Sequence, residues 1–451
     1  MRETLIKAFE YQKSGDFDNA EALYKELLKN DYNSEEVVKL LASLYNSQKK
    51  YSDTIGLINE YIAKNYCGYE IYFLLGVAYK NIFEFRKAQK AYERAIELND
   101  KFENGYYNLA NLCLFLNEPQ NAIGYFKKCI ELSPDDIEAR YFLSLAYFRL
   151  KDYENGLVHF ENRLCRKTAI ETQLHTYPNL MNKSKLWQGE DISDKTLYTY
   201  YEAGFGDMIM FMRYIPELKK RCKKLIIKPQ IELTQILKDN FDNAEVMDFF
   251  KYENEFEFDF HIPFLSVPYV LGLKNDEMFI GHEGYLKAEP EKVQYFKDKY
   301  FNNDKFKIAI KWQGNTYYET DRVINVEAFS PLFNLPDVQV YSAQTFEGSE
   351  NFEKLASKYN IIDLSADFKD FSYTAGALEN IDLVICSDTS LAHLAGALGK
   401  PCIVLLPYNY NWRWHTDLTK CDWYDSVKLY RLNVDETWNS LMERIVNSFD
   451  W

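Results

Sequence analysis

Five small residues, Ala8, Ala42, Gly76, Ala110 and Ser144, recur every 34 positions with no insertion or deletion. Three positions on, the same register gives Tyr11, Tyr45, Tyr79, Cys113 and Tyr147. A second small position follows at Ala20, Thr54, Ala88, Ala122 and Gly156, and a second large one at Tyr24, Ile58, Tyr92, Phe126 and Phe160. Small side chains at two fixed points let paired helices approach closely, and the large ones fill the gaps between pairs. Pro134 falls where a repeat should end. The first third of the chain is thereby restricted to helix pairs in one phase.

This pattern and period resemble the tetratricopeptide repeat, over residues 1–165. The resemblance implies an all-α solenoid whose concave face holds a protein segment. The repeated small and aromatic residues are packing residues. Exposed groove positions such as Asn108 or Asn111 are the candidates for a peptide contact. A spacer or an oligomerisation arm is the alternative use of such an array.

At 451 residues the chain has room for further domains, and its 47% hydrophobic and 27% charged content is that of a globular protein. No apolar run reaches the length of a membrane span, and Met1-Arg2-Glu3-Thr4-Leu5-Ile6-Lys7 lacks the apolar core of a signal peptide. A cytoplasmic location is expected. The formal charge of -15 argues against nucleic acid as a partner, because phosphate backbones need a basic surface. The eight cysteines are scattered without a C-x-x-C pair, so reduced thiols are expected rather than a metal site or disulfides.

The helical period fails after Leu164. Residues 166–190 read as an irregular connector, 191–288 as a small α/β domain, and 289–451 as a second α/β domain closed by a helix near Asp435 to Phe449. Strands are expected at 195–201, 224–228, 245–248 and 256–262 in the first. In the second they are expected at 306–312, 338–343, 361–364, 383–386, 402–406 and 427–431. Two such domains facing one another suit an enzyme that binds one substrate on each.

Chemistry-bearing residues cluster at the predicted carboxyl ends of these strands, where ligands of open α/β sheets collect. In Glu202-Ala203-Gly204-Phe205-Gly206-Asp207 two glycines allow close approach, and Asp207 faces the cleft. Lys311-Trp312-Gln313-Gly314-Asn315 ends a strand, with Arg322 after it as a fork for phosphate. Gln344 ends another strand and is a candidate contact to a base or ribose. The apolar run Leu383 to Cys386 stops at Ser387-Asp388-Thr389-Ser390 and gives way to a small-residue helix with His393 one turn in. Unpaired N–H groups and the helix dipole favour an anion at that loop. Each motif also has a plain structural reading: a helix cap, a turn, a solvated strand end, a core histidine.

Together these stretches resemble glycosyltransferase family nine, the ADP-heptose heptosyltransferase-like enzymes of bacteria, in versions that carry tetratricopeptide repeats in front. The matching segments are Leu186 to Glu190, Glu202 to Asp207, Asp259 to Pro268, Lys311 to Asn315, Asp388 to His393, and Trp412-Arg413-Trp414. The resemblance implies a twin-Rossmann (GT-B) fold with a nucleotide-sugar donor on the C-terminal half. It implies Asp207 as general base and Glu202, Gly204 and Gly206 as the acceptor-side loop. Trp312, Gly314, Asn315, Arg322, Gln344, Asp388, Thr389, Ser390 and His393 would form the donor side, with no metal and no cofactor. This chain departs from the family at Ala203, where glutamine is common, at Asn411, where aspartate is common, and in a basic patch reduced to Arg322.

The expected function is transfer of a sugar to a hydroxyl of a protein recruited by the repeats, flagellin or a surface protein being the kind of acceptor such relatives modify. A lipid or polysaccharide acceptor is one alternative, and a non-catalytic repeat scaffold is the other.

Overall fold

The computed structural model describes residues 2–30, 34–168, 171, 185–314, 322–345, 352–417, 419–433 and 436–448. The chain divides into two compact units, Met1–Tyr147 and Phe148–Trp451. The division falls within the helix Ile137–Arg149, ahead of the boundary expected at 165, and the last helix of the fifth repeat, Tyr153–Phe160, belongs with the second unit.

The first unit is a helical tetratricopeptide-repeat array, running from Arg2–Ser14 through helix pairs to Pro119–Leu132 and the start of Ile137–Arg149. The sequence register is its core. Ala8, Ala42, Ala110, Ala20, Ala88, Ala122, Tyr24, Ile58, Tyr92 and Phe126 are all fully buried. Gly76 shows why the position must be small, since a Cβ there would lie 2.5 Å from the Tyr92 ring. A further feature shares the 34-residue period: the backbone is left-handed at Gly15, Lys49, Phe83, Asn117 and Lys151, with φ of 83°, 60°, 64°, 58° and 61°. Each residue ends the first helix of its pair, where a left-handed residue closes the last turn.

The second unit is α/β and contains two wholly parallel sheets. The first has the order β1-β5-β2-β3-β4, from Lys185–Leu186, Ile192–Tyr200, Cys222–Lys228, Glu245–Val246 and Phe260–Pro263 as β1 to β5. Its edge strand β1 lies inside the stretch expected to be irregular, and pairs Lys185 with Phe260 and Leu186 with His261. The second sheet has the order β11-β10-β9-β6-β7-β8. Its strands are Phe306–Lys311, Val338–Ser342, Ile362–Asp363, Leu383–Ser387, Cys402–Leu406 and Val427–Arg431 as β6 to β11.

Central strands β7, β9 and β10 are buried along their whole length, and for β9 and β10 this is why the sequence reads as a nearly unbroken apolar run. On one face Ile308, Ile310, Ile385, Ile403 and Leu405 pack with Leu441, Met442 and Ile445 of the helix Trp438–Val446. That final helix covers the second sheet. The eight cysteines are free thiols, Cys165 being exposed and the other seven buried.

Candidate functional site

From β2 the chain turns through Glu202, Ala203 and Gly204 into the helix Phe205–Phe211, with Gly204 as the N-cap and Asp207 in the first turn. A Cβ on Gly206 would fall 2.8 Å from His393 Cδ2 and 3.6 Å from the Ser390 Cα. The missing side chain lets this helix close on the helix Ser390–Ala397, which follows β9. Two strand-end corners, one from each sheet, are thereby brought together.

On the second corner Thr389 is the N-cap of the helix Ser390–Ala397, in extended backbone at φ −138° and ψ 170°, and its side chain makes no capping bond. Its Oγ1 is buried with no hydrogen-bond partner among the described residues. The start of this helix thus presents an idle hydroxyl beside the N–H groups of its first turn, which have no partner within the helix. Gly314, after β6, adjoins it: a Cβ there would lie 3.3 Å from Thr389 Cγ2.

Arg322 Nη1 donates to the Asp388 carbonyl at 2.8 Å and lies 3.5 Å from the Asp388 carboxylate. Burial raises the Asp388 carboxyl above its usual range, with Arg322 and the Trp414 indole opposing. His393 stacks on Trp414 at 5.2 Å, and its Nδ1 is 3.1 Å from the Tyr424 hydroxyl. Burial first, then the charges of Arg213 and Arg322, push its pKa down to about 3, so the ring is neutral at physiological pH. It offers one donor and one acceptor.

The short turn Trp412–Trp414 joins these parts. Trp412 packs on Phe148 at 4.7 Å and on Phe160 at 6.3 Å. Arg413 pairs through Nη2 with Asp207 Oδ1, while its Nη1 donates to Asn411 Oδ1 at 2.7 Å. Trp414 supplies the ring under His393. His415 follows at φ 51°, buried between the Tyr153 hydroxyl (2.6 Å from Nε2) and the Asp422 carboxylate (3.1 Å from Nδ1). The Trp-Arg-Trp motif shows in the sequence only as a cation set between two tryptophans, and nothing adjacent to it points to Asp207.

Three candidate residues have other employment. Glu202 is held by the buried Arg163 at 2.7 and 3.1 Å and by the Leu265 N–H at 3.1 Å, so it ties the turn Glu161–Cys165 to the first sheet. Trp312 is a core residue stacked on Phe352 at 5.6 Å. Gln344 is buried and clamps the turn after β6: its Oε1 accepts from the Trp312 and Gln313 N–H groups at 3.1 and 3.2 Å, and its Nε2 donates to the Gln313 and Thr345 carbonyls. Its amide is engaged on both sides by backbone groups of the protein. Asn315 lies outside the described residues. Asp207, Gly206, Gly314, Arg322, Asp388, Thr389, Ser390 and His393 do come together.

Among the described residues, one group, Glu103, Cys129 and Asp136 in the helical unit, has ligand atoms close enough to share a metal ion. Burial, then Asp136 and Glu103, push the Cys129 thiol up to about 12, and Ser133 donates to Glu103, so the cluster satisfies itself. A cavity of 480 Å³ lined by Trp187, Gly189, Glu190, Ile192 and Arg221 opens at the amino edge of the first sheet, the opposite edge from Asp207. No helix among the described residues is long and apolar enough to cross a membrane.

Residues 7–70 match the tetratricopeptide repeat family, and residues 81–163 match the family of anaphase-promoting complex, cyclosome, subunit 3. Protein FlbA of Caulobacter vibrioides is 22% identical over 90% of this chain and 71% of its own length. The UDP-N-acetylglucosamine–peptide N-acetylglucosaminyltransferase of Giardia intestinalis is 35% identical over 25% of this chain, which spans 8% of that protein. BBSome complex member BBS4 of Bos taurus is 32% identical over 26% of this chain and 22% of its own. Among solved structures, MamA is 28% identical and covers 37% of this chain and 96% of its own, with a TM-score of 0.34. The helix pairs are tetratricopeptide repeats, and a quarter of the chain is similar to a small part of a peptide N-acetylglucosaminyltransferase.

Proposed function

We propose that the chain is a glycosyltransferase that moves a sugar from a nucleotide-sugar donor to a hydroxyl of a protein acceptor held by the repeats. The observation that carries this reading is the contact of Gly206 with His393 and Ser390, which sets Asp207 beside the Asp388–His393 segment. Two parallel sheets that meet at their carboxyl edges suit the twin-Rossmann, GT-B arrangement of the family-nine glycosyltransferases that the motifs resemble. The partial similarity to a peptide N-acetylglucosaminyltransferase supports a peptide acceptor, and the repeats provide a surface of the kind that holds one.

In this reading the N–H groups that open the helix Ser390–Ala397, with the Thr389 hydroxyl, take the donor's phosphate oxygens. Neutral His393 contacts the donor without adding charge. Asp207 removes the acceptor's hydroxyl proton as that oxygen attacks the anomeric carbon, and the nucleotide leaves with the electron pair of the broken C–O bond. Helix N–H groups and basic side chains carry the departing charge, a role that needs no metal in this scheme.

A thermal-shift screen against a nucleotide-sugar panel is the first test, since a true donor raises Tm by an amount that grows with the logarithm of its concentration over Kd. Co-expression with a candidate acceptor and mass spectrometry of that protein then reads transfer. Asp207→Asn is expected to abolish the mass increment and leave acceptor binding unchanged. Absence of both stabilisation and donor hydrolysis across the panel would instead favour the non-catalytic scaffold.

A further inference from the structure

We propose that Arg413 is the cation that receives the donor's diphosphate and that Asp207 is its resting counter-ion, so that donor binding uncovers the base. This rests on the transferase reading above and adds an order to it: donor first, acceptor second.

The Arg413 guanidinium pairs with Asp207 Oδ1, and both side chains are 16% exposed, within reach of a ligand entering between the two corners. A carboxylate whose charge is balanced by a guanidinium is a poor proton acceptor. Asp207 therefore acts as a base only when Arg413 turns to another anion. A diphosphate is the fitting one, because the guanidinium fork bonds two phosphate oxygens at once.

The neighbouring arginines have structural duties. Arg322 holds the Asp388 carbonyl and carboxylate and so shapes the loop. Arg213 is buried, donates to the Met210, Ile280 and Trp423 carbonyls, and lies over the rings of Tyr285, Trp423 and Tyr424. Arg413, by contrast, is tied to a group that the reaction itself must free.

Asn411 gives the sequence departure at that position a physical meaning. Its neutral carbonyl steers the guanidinium at 2.7 Å without a competing charge. An aspartate there would hold Arg413 as a second ion pair; the amide lets it transfer.

Calorimetric titration of the full chain with inorganic pyrophosphate, and with UDP, ADP and GDP, tests the proposal. Wild type is compared with Asp207→Asn, Arg413→Met and the double variant. Removing the resting counter-ion is expected to tighten pyrophosphate binding about tenfold, a change of about 1.4 kcal/mol. Arg413→Met should weaken it about tenfold or more and erase the Asp207→Asn gain in the double variant. If Arg413→Met does not fold, Arg413→Lys keeps the charge, loses the fork, and is expected to bind several-fold more weakly than wild type.

Pyrophosphate affinity unchanged or reduced in Asp207→Asn, or a gain that persists without Arg413, overturns the proposal. If that happens while a nucleotide sugar still stabilises the protein, the transferase reading stands and the Arg413 proposal falls by itself. If neither pyrophosphate nor any nucleotide or nucleotide sugar binds, both fall together.

Discussion

Lys311 is 7% exposed at the end of β6, where its ammonium donates to the Thr345 hydroxyl at 3.1 Å and more weakly to the Ala343 carbonyl at 3.4 Å. No carboxylate pairs with it among the described residues. Burial pushes its pKa down from 10.5 to about 8. Between those values the unfolded chain holds a proton that the folded chain has released, so this residue's contribution to stability rises as pH climbs from about 8 to 10.5 and is flat on either side. Below pH 8 the buried charge costs folding roughly 3 kcal/mol. Lys311→Met is therefore expected to be more stable than wild type at pH 7 by about 1–3 kcal/mol. The gap should close as pH approaches 10.5, read by urea melts at a series of pH values. A less stable variant at pH 7 would mean the two hydrogen bonds outweigh the burial. In the sequence Lys311 reads as a residue near the end of the strand expected at 306–312, and Gln344 as a strand-end residue whose plain reading is a solvated one. Their burial depends on what the adjacent strands present: for Gln344, two backbone N–H groups from the turn after β6.

At the scale of elements, the five helix-ending residues with left-handed backbone repeat as faithfully as the small core residues, yet Gly15 is the sole glycine among them. The sequence pattern hid them because hydrophobic periodicity carries no backbone sign. A non-glycine residue held at φ near 60° costs about 1–2 kcal/mol. Lys49→Gly, less the extra chain entropy of glycine, is expected to stabilise the helical unit by about 0.5–1 kcal/mol in chemical denaturation. A destabilised variant would place the benefit in the lysine side chain. The helix Ser390–Ala397 shows the opposite case, in which composition was readable and its reason was not. A Cβ on Gly396 would meet the Tyr424 ring at 2.3 Å, so the small residues of that helix hold Tyr424 close enough to bond His393.

For the molecule as a whole, two units each with its own core are expected to give two transitions in scanning calorimetry. Lys49→Gly should raise one of them and Lys311→Met the other, with additive effects in the double variant because the sites share no partner. A single transition moved by both would show one cooperative unit. The sequence by itself determined the repeat register, the ten strands other than the edge strand β1, and the two glycine- and hydroxyl-bearing corners, because local periodicity and turn chemistry are written in adjacent residues. Tertiary structure decided which of the candidates meet. Glu202 and Gln344 are engaged in bonds within the protein, Trp312 packs in the core, Gly206 closes on His393, and Arg413 meets Asp207 from 206 positions away. Such pairings are set by the packing of one sheet's corner on the other's, and no local pattern records which distant charge will fill the gap.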